Sequence, residues 1–513
     1  MNSSLLNKSA KFFAVLLGLA CGPAHLCAMG GNTDISALLE TARQVPVPQA
    51  SAKPSSLAGG AVKKEWTVMV YINGKNNLED AALYNMNQME IVGSTAKMNV
   101  VVETGRLTGK DSDTHKPVEG GWTGVRRYLI ANDFQPSTTD QAELKSRYTR
   151  SMGKINSPVV QELPKTDMGD YKAAVDFVKW SRENYPAKKY MLILWDHGAG
   201  WMDPLKKKSE GAGKSRAISF DDETGNFIGT VEIGKLVREA GGVNVLGFDA
   251  CLMQMAEVAY EVKDSAKIIL GSEEVVPEDG IDYTGFLAKL SSNPSASPEE
   301  AAGYAAEAFN KYYASSGKTA TMSVIRSDAL PGLASSLDAW GAVALQTKNV
   351  ATIQAARDKV LRFKEFDYMR DPLRVLTTYT DIYHFMQLVA ENTTVVQLKQ
   401  ASLAVMQYVA GTLVAKNTAR GKEYPPAGFI SLGGTATVKV FDYSNAHGIA
   451  VNVPRIRSDI TAAQLEDKEF SNKYSDLAFA KAAGRWNDFC QWMSDSVPAS
   501  GVLQPAGISR IEQ

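Results

Sequence analysis

From Trp66 onward, the chain alternates short apolar runs with stretches whose apolar residues recur at helical spacing. The runs "WTVMVYI", "MNVVVET", "YMLILW" and "VNVLGF" are rich in β-branched and aromatic residues, which is typical of buried strands. Strands that are apolar on both faces belong to parallel sheets whose crossover connections are helices. The sequence therefore predicts an α/β fold in which helices flank a mostly parallel sheet.

The helices between these strands are predicted from their caps and their spacing. "DMGDYKAAVDFVKWSRENYP" places an Asp before apolar residues at helical spacing and closes at Pro186. "CLMQMAEVAYEV" predicts a further helix that begins at Cys251. From about residue 330 the pattern changes to helices around 333–364 and 395–415 and short strands, which predicts a smaller C-terminal α+β domain over 331–513.

The first sixty or so residues differ from the rest in composition. Lys8 and Lys11 precede the apolar stretch "FFAVLLGLA", which is far shorter than the ~20 residues that cross a bilayer. Small residues follow it, as in a signal peptide, here expected over 1–28. Residues 29–64 are rich in Ala, Ser, Pro and Gly, which is typical of a linker or pro-segment.

The mature chain is therefore expected to be exported (secreted, periplasmic or at the cell surface) and to carry no integral membrane segment. A lipoprotein anchored through Cys21 is the less favoured interpretation, because Gly18 stands where such signals usually carry Leu. The chain has 55 Lys and Arg against 56 Asp and Glu, a formal net charge of -1. Because nucleic acids are bound through basic surfaces, no nucleic-acid partner is expected.

Cys251 and Cys490 are the cysteines that lie beyond the predicted signal and linker. Two cysteines do not make a disulfide framework. Cys251 comes directly after a predicted strand, and the residues alone leave three interpretations open: a nucleophile, a buried structural thiol, or a disulfide with Cys490. As a nucleophile, Cys251 would stand at the start of a helix, where N–H groups and the helix dipole favour a thiolate.

Two further polar residues follow predicted strands. His197 comes after "YMLILW", and Asp279 follows the strand "AKIILG". Because ligand sites on parallel sheets lie at the carboxyl ends of the strands, His197, Cys251 and Asp279 are expected at one edge. His197, followed by the flexible Gly198, would be the general acid and base for Cys251. Asp196 is interpreted as structural, because its side chain points opposite to that of His197 along a strand.

Five stretches resemble the clostripain family of cysteine peptidases, in the family's order and spacing: "WTVMVYINGKNNLE", "DMGDY", "YMLILWDHGAGW", "GFDACLMQMAEVAYEV" and "GSEEVVPEDGIDY". The resemblance covers most of the region from Trp66 to about Ser327. It implies a caspase-like peptidase domain over 65–330, with Cys251 as the nucleophile and His197 as the acid and base. It also implies that the N–H groups of Gly198 and Cys251 bind the oxyanion.

The resemblance further implies a preference for cleavage after Arg or Lys, and a cationic side chain needs a carboxylate in its pocket. Asp249 lies two residues before Cys251, on the same side of the strand, and Asp279 matches a second acidic position of the family. Both are expected to bind the P1 side chain. Clostripain-like enzymes are also nicked into two associated chains, so the long loop 202–226 is expected to be self-processed. The predicted cleavage sites are its basic residues, Lys206, Lys207, Lys208, Lys214 and Arg216.

The resulting hypothesis is an exported cysteine endopeptidase whose substrates are proteins or peptides with Arg or Lys at P1. The alternative is a catalytically inactive caspase-like module that binds basic peptides, although a pure binder needs neither His197 nor Cys251. Calcium is expected from the resemblance alone. The acidic stretch "DDETGN" does not match an EF-hand loop, and no metal ligands are named from the sequence.

Overall fold

The computed structural model describes residues 63–107, 121–133, 155–163, 165–204, 218–363, 378–423, 441–454 and 471–495. The predicted signal peptide and nearly all of the predicted linker lie outside these ranges. No helix in the described ranges is long and apolar enough to cross a membrane.

The described strands, in chain order, are β1 (Lys64–Gly74), β2 (Met98–Arg106), β3 (Gly124–Leu129), β4 (Val159–Leu163), β5 (Ala187–Trp195), β6 (Ile218–Asp221), β7 (Asn226–Ile228), β8 (Val243–Asp249), β9 (Ala266–Gly271), β10 (Ala320–Arg326), β11 (Tyr379–Asp381), β12 (Val414–Arg420), β13 (Lys422–Glu423), β14 (Phe441–Asp442) and β15 (Ala450–Asn452). The described α-helices are α1 (Glu79–Glu90), α2 (Tyr171–Asn184), α3 (Thr230–Glu239), α4 (Ala256–Glu261), α5 (Tyr283–Ser292), α6 (Pro298–Ser316), α7 (Leu330–Thr347), α8 (Val350–Lys359), α9 (Ile382–Asn392), α10 (Val396–Tyr408), α11 (Ala478–Ala482) and α12 (Gly484–Asp495).

Nine of these strands form one sheet in the order β12-β10-β9-β8-β5-β1-β2-β3-β4. The five neighbours β2, β1, β5, β8 and β9 run parallel to one another, and the pairs outside them are antiparallel. The predicted α/β fold with a mostly parallel sheet is confirmed.

Both faces of the sheet are covered, as the apolar runs predicted. Val68 and Val70 of β1 enter one hydrophobic cluster, whereas Met69 and Tyr71 enter another. All four side chains are buried. Burying an apolar side chain of this size stabilises a fold by roughly 1.5–3 kcal/mol, so strand β1 contributes to stability on both of its faces.

Residues after 330 share this core. Strand β12 pairs with β10 at one edge of the sheet. The cluster that contains Met69 also contains Trp340, Phe385 and Trp486. The described part of the segment 331–513 therefore packs against the same sheet as the preceding residues. The domain boundary at 330 stays a prediction.

The helix predicted to begin at Cys251 does not begin there. Helix α4 starts at Ala256, and the residues before it form a turn followed by an extended segment. Leu252 has a φ of 64°, in the left-handed region, and its N–H donates to the carbonyl of Glu274 at 3.2 Å. A backbone bond to a neighbouring segment thus takes the place of the helical pattern. The prediction that a helix N-terminus stabilises a thiolate at Cys251 is therefore wrong.

Glu257, in α4, joins this region to later parts of the chain. Its buried carboxyl accepts hydrogen bonds from the Asn452 N–H at 2.9 Å and from the Tyr474 hydroxyl at 3.0 Å. Burial raises the pKa of Glu257 to about 7, and the hydrogen bonds oppose this rise. Because the pKa is higher in the folded state, the resulting stabilisation is present at acidic pH and is lost as the pH rises through about 7.

We predict that Glu257→Gln removes this pH dependence, because glutamine resembles the protonated carboxyl. A rise in pKa from 4.5 to about 7 corresponds to about 3 kcal/mol. The difference in the free energy of unfolding between the variant and the protein that keeps Glu257 should therefore grow in the variant's favour from acidic to alkaline pH. The expected growth is about 3 kcal/mol. Urea unfolding at about pH 4.5 and 8.5 measures this change. Both proteins carry Cys251→Ala, which removes any self-digestion. If their free energies of unfolding differ by the same amount at the two pH values, the prediction is contradicted.

Candidate active site

Strands β5 and β8 are parallel neighbours, and their register determines which residues meet beyond them. Trp195 pairs with Asp249 at the last position of the ladder. The Asp196 N–H then donates to the carbonyl of Asp249 at 3.3 Å. His197 lies two residues after Trp195, and Cys251 lies two residues after Asp249. The structure thus brings the two predicted dyad residues to adjacent places at the carboxyl edge of the sheet.

Gly198 allows the two strand ends to approach closely. A Cβ atom at this position would lie 2.2 Å from the carbonyl oxygen of Cys251 and 2.9 Å from its nitrogen. No side chain fits at such distances without a backbone shift. The backbones of the two predicted oxyanion donors are therefore in direct contact.

The two cysteines of the described residues are both free thiols, so the alternative of a disulfide between Cys251 and Cys490 is excluded. Cys251 is half-buried, and its thiol donates to the carbonyl of Val276 across 3.8 Å. Cys490 is buried, and burial raises the pKa of its thiol well above the ordinary value. A packed, protonated thiol suits a structural role for Cys490.

The carboxylate of Asp196 is buried and is bound to two other segments of the chain. It accepts hydrogen bonds from the Asn76 side-chain amide at 2.7 Å and from the N–H of Phe220. These bonds tie the end of β5 to the turn after β1 and to β6. They agree with the interpretation of Asp196 as structural.

Asn77, which the sequence analysis did not single out, lies against the imidazole. Its side-chain oxygen is 2.9 Å from Nε2 of His197, and Asn77 itself is exposed. Asn77 belongs to the stretch "NGKNN", directly after the strand predicted from "WTVMVYI". This stretch is part of a motif that resembles cysteine peptidases, and that was the signal that could have identified Asn77.

Asp249 lies in a buried network rather than in open solvent. Its side chain is 3% exposed and accepts hydrogen bonds from the Ile281 N–H at 3.0 Å and from the Tyr283 hydroxyl at 3.0 Å. Burial raises its pKa to about 6, while both hydrogen bonds act in the opposite direction. The carboxylate therefore fixes the segment that follows Asp279.

Asp279 belongs to that segment and is only half-buried. Its Oδ2 accepts a hydrogen bond from the Tyr312 hydroxyl at 3.3 Å, and the Tyr84 hydroxyl lies 3.1 Å from that of Tyr312. The carbonyl of Asp279 accepts a bond from the Asn85 side chain at 2.9 Å. The two predicted binding carboxylates thus belong to one connected region, with Asp249 at the buried position and Asp279 at the more exposed one.

Later segments of the chain support the turns that carry His197 and Cys251, which the sequence analysis did not predict. The Tyr379 hydroxyl donates to the carbonyl of Ala199. The N–H of Ala450 donates to the carbonyl of Gln254 at 3.0 Å. Both turns therefore rest on residues beyond the predicted peptidase domain.

The predicted cleavage sites between Lys206 and Arg216 lie outside the described residues. The described residues on either side of them are well anchored. The carboxylate of Asp203 accepts a bond from the Thr230 N–H at 2.9 Å, and Ile218 pairs with Ile228.

Within the described ranges, no group of three or more His, Cys, Asp or Glu side chains is arranged to hold a metal ion. The expectation of calcium stays a prediction, and no step of the chemistry is assigned to it.

Similar proteins are found both by sequence and by structure. The chain is 27% identical to clostripain of Hathewaya histolytica over 248 residues, which are 46% of this chain and 44% of clostripain. The match thus spans less than half of the relative's length.

Two solved structures share the fold. A secreted C11 cysteine protease from Bacteroides thetaiotaomicron, in complex with an irreversible peptide inhibitor, aligns with a TM-score of 0.54 at 18% identity over 82% of this chain and 99% of its own. An inactive zymogen C11 protease from Parabacteroides distasonis aligns with a TM-score of 0.51 at 16% identity over 83% of this chain and 99% of its own. These likenesses confirm the predicted caspase-like fold. The model of the clostripain family matches residues 70–492, so the chain belongs to the clostripain family of cysteine peptidases.

Proposed function

We propose that this chain is an exported cysteine endopeptidase that cleaves after Arg or Lys through Cys251 and His197. The observation that carries the proposal is the pairing of Trp195 with Asp249, because it sets a thiol and an imidazole beyond adjacent parallel strands. The close contact of Gly198 with the Cys251 backbone supports the same assignment. Export is supported by the signal-like sequence at the start of the chain and by a relative that is a secreted protease.

The chemistry is an acyl transfer in two steps. His197 takes the proton of the Cys251 thiol as Sγ attacks the carbonyl carbon of the P1 residue. The N–H groups of Gly198 and Cys251 bind the oxyanion that develops. The C–N bond breaks, His197 gives its proton to the leaving amine, and a thioester remains. Water then attacks the thioester, and the acid product leaves as the thiol is restored.

The preference for Arg or Lys rests on Asp249 and Asp279. The half-buried carboxylate of Asp279 would pair with the cationic side chain, and the buried Asp249 would add negative charge to the same region. In a desolvated pocket, such pairing favours a cation strongly over a neutral or acidic side chain.

Self-processing between residues 202 and 226 is part of the proposal. The strands β5 and β8, which pair along their length, lie on opposite sides of the predicted cleavage sites. Cleavage between them leaves this ladder intact, so the two fragments should remain associated. The zymogen form of the Parabacteroides distasonis relative accords with activation by processing.

Removal of either dyad residue should abolish turnover. We expect Cys251→Ala to lose all cleavage of a chromogenic Arg-amide, and His197→Ala to lose about two to four powers of ten in kcat/KM, because general acid–base catalysis supplies about that much. Iodoacetamide should inactivate the wild type. Cys490→Ser is the matched control, since it changes the other described cysteine and should retain activity.

Turnover that survives alkylation of Cys251 would point to a serine or metal hydrolase instead. A folded wild type that binds basic peptides but turns none over would point to the inactive binding module. Either outcome would reject the proposed peptidase activity.

The Asp249→Asn variant should lose selectivity for cationic substrates. A buried charge that is left without its partner costs roughly 3–5 kcal/mol, so kcat/KM for Arg substrates should fall by about two to four powers of ten. The matched control is Asp282→Asn, because Asp282 is also buried and its pKa is also raised to about 6 by burial. Asp282 caps helix α5 through the Gly285 N–H, and asparagine caps equally well.

Cleavage of substrates with Arg, Lys, Asp and neutral residues at P1 provides the measurement. The rate of alkylation of Cys251 should stay unchanged in Asp249→Asn, which separates loss of the pocket from loss of the dyad. An undiminished preference for Arg and Lys would mean that the pocket lies elsewhere.

Processing should depend on the enzyme's own thiol. Purified wild type should appear on a denaturing gel as two fragments, with a new N-terminus after Lys206, Lys207, Lys208, Lys214 or Arg216. The fragments should co-elute in size-exclusion chromatography. The Cys251→Ala variant should remain intact, and nicking of that variant at the wild-type rate would show that another protease makes the cut.

A further inference from the structure

We infer that Asn77 is a positioning residue for His197, a role that rests on the proposed peptidase function. The side-chain oxygen of Asn77 lies 2.9 Å from Nε2 of the imidazole, which is a normal hydrogen-bond distance. An amide oxygen accepts hydrogen bonds and never donates them. The contact therefore stabilises the tautomer in which Nε2 carries the proton.

This tautomer leaves the lone pair on Nδ1. In the proposed chemistry, Nδ1 takes the proton from Sγ of Cys251 and later returns a proton to the leaving amine. When the ring is protonated, both nitrogens carry hydrogen, and the Nε2–H continues to donate to Asn77. The same acceptor thus serves the neutral and the protonated ring. Because the amide has no net charge, it orients the imidazole without adding charge beside it.

The turn that carries Asn77 is held in place by the residue before it. Asn76 is buried, and its side-chain amide donates to Oδ1 of Asp196 at 2.7 Å and to the carbonyl of Phe220 at 2.9 Å. Its side-chain oxygen accepts the N–H of Leu78 at 2.8 Å. Two consecutive asparagines therefore contact two consecutive residues of the β5 end. The pair Asn76–Asp196 fixes the backbone, and the pair Asn77–His197 fixes the ring.

Asp196 is the residue before His197 in the chain, and its carboxylate oxygens accept hydrogen bonds from Asn76 and Phe220. A residue next to His197 on an extended chain also points its side chain away from the ring. Asn77 is exposed and lies at the start of a helix, so its own loss removes little packing. Mutation of Asn77 can therefore test its role in positioning His197 without disturbing the fold.

The test compares Asn77→Ala and Asn77→Asp with the wild type on a chromogenic Arg-amide. We expect Asn77→Ala to lower kcat by roughly 10- to 100-fold, because a misplaced catalytic group costs up to about 10²-fold, while KM stays near the wild-type value. Asn77→Asp keeps the acceptor oxygen and should recover most of the lost kcat. The matched control is Asn392→Ala, since Asn392 is an exposed asparagine near a helix end that donates to the carbonyl of Leu388.

A second measurement is independent of substrate cleavage. The rate at which iodoacetamide alkylates Cys251, followed by mass spectrometry of the peptide that contains it, should fall in Asn77→Ala and recover in Asn77→Asp. Thermal unfolding should be the same in all four proteins.

The inference is overturned if Asn77→Ala matches the wild type in kcat and alkylation, if it changes KM alone, or if Asn77→Asp is no better than Asn77→Ala. An inactive wild type whose Cys251 alkylates slowly in every variant would instead reject the proposed function. The two failures are therefore distinguishable.

Discussion

The parallel ladder between β5 and β8 is the interaction on which the rest of the site depends. Both strands are apolar on both faces, with Ile193 and Leu194 fully buried on opposite sides. For such strands the hydrophobic pattern specifies the register only weakly, because a slip by one residue still buries apolar side chains. Hydrogen bonds of the residues at the strand ends help to fix the register. The Asp196 N–H bonds to the carbonyl of Asp249, and the Asp196 carboxylate is bound to the turn after β1.

Carboxyl groups of helix α4 accept backbone N–H groups from later elements of the chain. The buried Glu257 accepts from Asn452 in β15, and the half-buried Glu261 accepts from Ala478 at the start of α11. A carboxylate that receives backbone N–H groups makes stronger bonds than a neutral acceptor. Burial opposes ionisation, however, and raises the pKa of Glu257 to about 7. The bond between helix α4 and strand β15 therefore changes in strength with pH.

Much of the fold and of the site could be predicted from the sequence, because strands and helices in this chain differ clearly in periodicity. The strand ends that carry His197 and Cys251 follow directly from that pattern. The prediction of a helix that begins at Cys251 was wrong, because the Leu252 N–H donates to the carbonyl of Glu274 and Leu252 adopts a left-handed conformation that local spacing does not encode. Asn77 was missed for a similar reason: its partner is far away in sequence. Contacts between distant loops leave no periodic signal.

The segments on both sides of the predicted cleavage sites are anchored to the fold, and this bears on how the proposed processing would act. Asp203 is bound to Thr230 and, through its carbonyl, to the N–H of Ser471, so the chain is fixed just before the predicted cleavage sites. Beyond them, Ile218 pairs with Ile228, and Ser219 bonds to the carbonyl of Met168. Both flanks are thus tied to parts of the fold that do not include the cleavage sites. The β5–β8 ladder and the turns that carry the dyad are formed by residues outside this interval. We therefore expect a cut between the flanks to leave them in place, so that assembly of the catalytic residues does not depend on processing.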